Sequence, residues 1–276
     1  MSQESLPLGV SKITSHNPGP TIALMAGVHG DEKPGVLALQ EYAPHLSLLC
    51  GTLYIIYANL PAMKQNVRMV EKNINRCFLK DNDGTTAEDI RVRELMPILD
   101  KCDALLDIHA YHDLTGDSFV ICEDTAMDIA TKLDPELIST GWADTEPGGS
   151  DTYLYLQGKI GITLECGPLT QIDAGKQVAL KVIQQFLKHF GMINTPTEFS
   201  TQAKRIIRTE LAVIRVSEDF YLDPNLTSFS KLVPGKVFAS QDGTEYVGKQ
   251  DQYIIFPRPQ TKIGTEAFTL GREIVQ

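Results

Sequence analysis

Between residues 20 and 190 the chain alternates two hydrophobic patterns. Short apolar runs, TIALMAGV (21–28), TLYIIYA (52–58), ALLDI (104–108), SFVIC (118–122) and IGITLE (160–165), are bounded by Gly, Pro, Asp or Asn. Runs of that length, rich in β-branched residues, are strands buried on both faces. Between them GVLALQEYAP (35–44), AEDIRVRELMPIL (87–99) and AGKQVALKVIQQFLKHF (174–190) place apolar residues at helical spacing. Pro97 falls inside the second of these and kinks or shortens it. The alternation predicts an α/β unit with a mixed, mostly parallel sheet flanked by helices.

The pattern changes near residue 195. GMINTPTEFS is a Pro- and Thr-rich joint, and the long helical patterns end there. Beyond it ELAVIRV, KVFAS, EYVGK and YIIFPRP alternate or run apolar between Gly and Asp turns. A smaller β-rich unit is expected at 196–276, after a first unit at 1–195. The 276-residue length accommodates both.

Composition narrows the function. The formal net charge of −10, with no dense Lys/Arg cluster, argues against nucleic acid as a partner. MSQESLPLGV has neither the basic start nor the apolar run of a signal peptide, and no stretch of about 18 apolar residues occurs. The expected location is cytoplasmic, with no membrane partner, and a homo-oligomer is compatible with the pattern. The five cysteines are scattered and odd in number, which fits reduced core thiols.

Four segments carry candidate chemistry. In AGVHGDEKPG (26–35) a strand ends in a turn with His29 and Glu32 three residues apart. An imidazole and a carboxylate so placed suit Zn²⁺, although a surface turn has the same spacing, so a third ligand is required. His109 supplies it in DIHAYHD, where it follows the ALLDI strand; Asp107, two residues earlier on the same side, is placed to orient an imidazole. His112 reads as a hydrogen-bonded loop residue and His189 as a solvated one. Glu165 ends the IGITLE strand, where desolvation raises a carboxyl pKa toward that of a general base, although a carboxylate capping the next loop would sit in the same place. In RMVEKNINRCF, Arg68 and the Asn75-Arg76 pair are groups suited to an oxyanion and a carboxylate, or to an exposed charged loop.

In this order the segments resemble the zinc carboxypeptidase-like acylases: HGDE their zinc motif, DIH their third-ligand motif, NINR their anion motif, LECGP their catalytic-glutamate motif. The β-rich C-terminal unit is similar to that of the aspartoacylase and succinylglutamate desuccinylase branch. The resemblance implies one zinc per chain on His29, Glu32 and His109, with Glu165 activating water and Arg68 steadying the oxyanion. Asn75 and Arg76 would bind the substrate carboxylate. The implied substrate is a small anionic amide such as an N-acyl amino acid. Alternatives are a metallocarboxypeptidase acting on short peptides and a non-catalytic small-anion binder. Two features depart from the family. DTYLYLQGK (151–159) carries Tyr153 and Tyr155 where aspartoacylases have an Arg, and FPRPQTKIGTEAF (256–268) lacks their late tyrosine. Tyr253 and Arg258 are nearby replacements, and both read first as strand and turn residues.

Overall fold

The structure is a computed structural model that describes residues 5–274. Its strands are β1 (Val10–Thr14), β2 (Thr21–Ala26), β3 (Thr52–Tyr57), β4 (Ala104–Tyr111), β5 (Phe119–Cys122), β6 (Leu137–Thr140) and β7 (Ile160–Pro168). After residue 195 come β8 (Arg205–Ile214), β9 (Tyr221–Leu222), β10 (Ser230–Lys231), β11 (Val237–Gln241), β12 (Thr244–Val247), β13 (Gln252–Ile255) and β14 (Glu266–Ile274). The helices are α1 (Lys33–Tyr42), α2 (Leu60–Gln65), α3 (Ala87–Leu99), α4 (Met127–Ala130), α5 (Trp142–Thr145), α6 (Ser150–Tyr155) and α7 (Ile172–His189).

One 11-stranded sheet runs β1-β3-β2-β4-β7-β5-β6-β8-β14-β13-β10. Its centre is parallel, β3-β2-β4-β7, as the uninterrupted apolar runs require. Alternate residues of β2 serve opposite faces: Ile22, Leu24 and Ala26 join Ala38 and Leu39 of α1 and Val182, Ile183 and Phe186 of α7. Ala23 and Met25 meet Val92, Leu95 and Leu99 of α3 on the other side. Every residue of β4 is buried, because this strand is paired on both edges and covered on both faces. Pro97 lies inside α3, which continues past it to Leu99, so the helix keeps the full 87–99 span expected from the sequence.

Three details differ from the sequence expectation. The SFVIC run forms β5 antiparallel to β7. A buried apolar run carries no information about direction, so this reversal has no local signal. His109 does not follow its strand but lies within it, since β4 continues to Tyr111. His189 is only partly exposed and packs edge-on against Phe190 at 5.1 Å between ring centroids.

The segment after residue 195 is β-rich. Four of its strands extend the central sheet: β8 lies parallel to β6, and β14, β13 and β10 follow antiparallel. β9, β11 and β12 form a separate three-stranded antiparallel sheet. Among the described residues no helix is long and apolar enough to cross a membrane.

Candidate active site

The carboxyl ends of β2, β4 and β7 point the same way, which brings the turn after β2 and the ends of its neighbours to one place. His29 and Glu32 occupy that turn. Gly30 between them is required by contact: a Cβ there would sit 2.1 Å from the Ala62 carbonyl carbon of α2. Glu32 is the residue before α1, yet its carboxylate does not cap the helix. Instead Oε1 lies 2.7 Å from His29 Nδ1, and Oε2 lies 2.9 Å from His109 Nδ1 and accepts the Ala110 N–H at 3.1 Å. His29, Glu32 and His109 are all buried, with one ligand atom from each within 4.8 Å of the others.

The outer nitrogen of His29 is hydrogen-bonded, and that of His109 lies close to a carboxylate without a well-aligned hydrogen bond. His29 Nε2 is 3.0 Å from Asn73 Oδ1, and His109 Nε2 faces Asp107 Oδ2 at 3.1 Å. The same Asp107 oxygen accepts the Ser150 hydroxyl at 2.5 Å. With Nε2 of each ring turned to an oxygen, Nδ1 is the nitrogen each presents to the centre. Two imidazole nitrogens and a carboxylate facing one point are the donor set of a catalytic zinc site, which takes three protein ligands. The residues fit that ion.

Electrostatics divides the carboxyls into two kinds. Burial acts to raise Glu32, but His29 and His109 outweigh it and hold the group well below its ordinary range. Burial pushes His29 down to about 4, helped by Arg68, which leaves a neutral ring. For His109 burial works downward, and Asp107 and Glu32 overcome it to raise the pKa. Glu165, in register with His109 on the adjacent strand, is pushed up to about 8 by burial. Its Oε2 is buried with no hydrogen-bond partner. A carboxyl with a spare oxygen and a pKa near neutrality is equipped to exchange a proton.

The third segment lines the same place. Arg68 Nη1 donates to Glu32 Oε1 at 2.9 Å. Asn73 caps the short 3₁₀ turn Ile74–Arg76 by accepting the Asn75 N–H at 3.1 Å, so one side chain fixes both the turn and His29. Asn75 Oδ1 accepts the Ser150 N–H at 3.2 Å. Arg76 is the most tied: Nε donates to Glu266 at 3.0 Å, Nη1 to the Asn75 carbonyl at 2.8 Å, and Nη2 to Glu146. Gly148 lets the next loop lie against it, for a Cβ there would stand 2.9 Å from the Arg76 backbone.

All seven residues singled out in the sequence therefore lie in this region. Asn73, Glu146, Ser150 and Glu266 carry no such signal in the sequence, whereas Arg258, a nearby replacement that reads first as a turn residue, also reaches this region. Arg258 Nη1 reaches Glu266 Oε2 at 3.4 Å. Tyr153 and Tyr253 point elsewhere: their hydroxyls bond Asp100 at 2.7 Å and Glu273 at 2.8 Å. His112 pairs with Asp31 at 3.1 Å at the exposed edge.

Comparison with known proteins follows the same lines. A family model described as the succinylglutamate desuccinylase/aspartoacylase catalytic domain matches residues 18–190. Succinylglutamate desuccinylase of Pseudomonas aeruginosa (strain UCBPP-PA14) is 25% identical over 94% of this chain and 86% of that protein. The N-alpha-acetyl-L-2,4-diaminobutyric acid deacetylase of Halomonas elongata is 29% identical over 66% of this chain and 58% of its own. The crystal structure of succinylglutamate desuccinylase from Vibrio cholerae shares the fold, with a TM-score of 0.81 at 16% identity over 97% of this chain and 89% of that one. The match across most of the α/β part identifies the chain as a member of the succinylglutamate desuccinylase/aspartoacylase family.

Proposed function

We propose that the protein is a zinc-dependent deacylase that hydrolyses the amide bond of an N-acyl amino acid or a similar small anionic amide. The observation that carries this reading is the pairing of a buried His–Glu–His cluster with Glu165 in register beside it. The relatives named above are deacylases of acylated amino acids, which supports the same chemistry.

His29, Glu32 and His109 would hold one Zn²⁺ per chain. Bound zinc supplies Lewis acidity, which polarises the amide carbonyl and makes water more acidic. Glu165 takes the proton of the attacking water. As the C–N bond breaks, Glu165 returns that proton to the departing amine, which its raised pKa favours. Arg68, fixed beside Glu32, stabilises the negative charge that develops on the carbonyl oxygen. Asn75 and Arg76 hold the carboxylate of the amino-acid portion, and because Arg76 is already bonded, that carboxylate exchanges with Glu146 or Glu266. The unit at 196–276 narrows the mouth and favours small amides over peptides. A cytoplasmic setting agrees with five free cysteines.

Elemental analysis of wild type, His29→Ala and His109→Ala tests the reading, combined with hydrolysis assays on N-acyl amino acids and dipeptides. About one zinc per wild-type chain, lost in both variants, with turnover of N-acyl amino acids, is expected. Full metal retention in both variants overturns the site. Preferred cleavage of dipeptides would make the protein a carboxypeptidase, and anion binding without turnover of any amide would make it a binder.

A further inference from the structure

One residue of the loop before α6 touches two parts of the site. The loop is pinned on one side by the Phe78 N–H, which donates to the Gly148 carbonyl at 3.1 Å. On the other side the start of α6 is pressed against β7, where a Cβ on Gly161 would stand 2.1 Å from the Asp151 carbonyl oxygen. Ser150 opens the helix between these points and is fully buried. Its hydroxyl donates to Asp107 Oδ2 at 2.5 Å, and its main-chain N–H donates to Asn75 Oδ1 at 3.2 Å.

The first of these bonds stands alone. Asp107 is fully buried, and its Oδ1 has no hydrogen-bond partner. His109 Nε2 lies 3.1 Å from Oδ2 without a well-aligned hydrogen bond. Among the described residues the Ser150 hydroxyl is therefore the one hydrogen-bond donor to this carboxylate. A buried polar group that loses its partner bears its desolvation cost in full, so the side chain takes its orientation from that donor. The second bond assigns the ends of the Asn75 amide: the oxygen is occupied, and the NH₂ is the end left to donate.

We propose that Ser150 is a positioning residue for the metal ligand His109, acting through Asp107 while its main chain holds Asn75 in the same frame. This rests on the deacylase reading above. The hydroxyl fixes the carboxylate, and the carboxylate faces the outer nitrogen of His109, so Nδ1 stays aimed at the centre shared with His29 and Glu32. Ser150 itself hydrogen-bonds none of the three ligands. Thr163 sits opposite Asp107 on β7, yet its hydroxyl makes no bond to that carboxylate and does not duplicate the contact. The two bonds of Ser150 are also separable. Alanine removes the hydroxyl and leaves the N–H, so the metal side can be disturbed with Asn75 in place.

Zinc affinity of the folded full chain, read by chelator competition, is the test, beside urea titrations of the metal-free form. Ser150→Ala is expected to weaken zinc binding about 3- to 30-fold, below the loss of about 10- to 100-fold from altering the carboxylate itself. In an Asp107→Asn background the same substitution should cost less than about threefold, because the path runs through that carboxylate. With zinc saturating, KM for an N-acyl amino acid that wild type cleaves should stay within about threefold, since the Asn75 contact is made by the main chain. Unchanged zinc affinity in Ser150→Ala overturns the proposal, and so does an equal loss in both backgrounds. A lower urea midpoint with wild-type zinc affinity would make the hydroxyl merely structural, and a rise confined to KM would place its action on the substrate; either result overturns the proposal too. If wild type holds zinc but cleaves no N-acyl amino acid, the deacylase reading fails and the zinc comparison still decides the role of Ser150. Absence of zinc from wild type brings down both.

Discussion

Glu88 is the test of whether the loop carrying Arg68 and Asn73 is built or merely tolerated. It lies in the first turn of α3, only 1% exposed, behind a helix start closed by the Thr86–Asp89 capping box. Its Oε1 accepts the Val70 N–H at 2.8 Å and the Asn59 amide at 3.3 Å. The Glu71 N–H lies 3.3 Å from both oxygens, and the Lys72 N–H 3.3 Å from Oε2. Glu88→Ala strips the acceptor from three consecutive amides and one side-chain amide. If all four stayed buried, the loss would be about 4–12 kcal/mol at about 1–3 kcal/mol each. The side chains of residues 69–72 are exposed, however, so water reaches much of this loop and a net loss of about 2–4 kcal/mol is expected. Much of that falls on local order, because the residues that lose their anchor connect Arg68 to Asn73. Urea unfolding should show the lower stability, and kcat for an N-acyl amino acid should fall about 10- to 100-fold under conditions where the protein stays folded. Glu88→Gln, which keeps one acceptor but turns an NH₂ toward an amide N–H, should lie between. Wild-type kcat in a variant destabilised as expected would refute the idea that Glu88 positions the catalytic loop.

Three other outcomes follow from the site. Asp107→Asn weakens the contact that orients His109 and should lower zinc affinity about 10- to 100-fold in chelator competition; unchanged affinity would remove Asp107 from the metal's support. Glu165→Gln should retain zinc while turnover falls about 10²- to 10⁴-fold. In wild type the base must be ionised, so activity should rise with pH through a midpoint above the ordinary value of 4.5 and no higher than about 8, since a bound cation pulls the carboxyl downward. A midpoint at 4.5 would contradict the desolvated environment. Burial raises Asp151 from 3.8 to about 6. An acid whose pKa rises on folding binds more protons in the folded state, so its contribution declines as pH climbs from about 4 to about 6 and stays lost above. Asp151→Asn should therefore stabilise the metal-free protein at pH 8, by up to about 3 kcal/mol relative to its effect at pH 4, in paired urea titrations.

What the sequence discloses is what is set locally. His29, Glu32 and His109 are legible because a turn and a strand end carry them, and the runs that became β2, β3, β4 and β7 are apolar throughout, as strands covered on both faces must be. Asn73 carries no signal in the sequence, because an Asn in a polar turn is unremarkable and commonly caps the next turn. It does so here, and only the fold shows its oxygen also reaching His29. Glu266 is 190 residues beyond Arg76 with nothing near it in the chain to mark it, and Arg258, 182 residues beyond, is marked only as a nearby replacement for the family's late tyrosine and reads first as a turn residue. Their place depends on β8 finding β6, a parallel pairing between Leu137 and Arg205 that no local periodicity encodes. LIST, which forms β6, is too short and mixed to announce itself.

That pairing also bears on how such a protein can diversify. Because β8 and β14 are woven into the central sheet, removing everything past residue 195 would bare the edge of β6, an invitation to aggregation rather than a clean truncation. The loop between β13 and β14 is in a different situation. Phe256 is packed on Tyr111, Phe119 and Trp142 and the Arg258 backbone is tied to Ala267, but residues 259–264 that follow are exposed or partly exposed, so this shorter stretch can vary without disturbing either strand. Exchanging those residues would alter this stretch of surface while leaving His29, Glu32 and His109 untouched, a short evolutionary route to variation that spares the buried cluster.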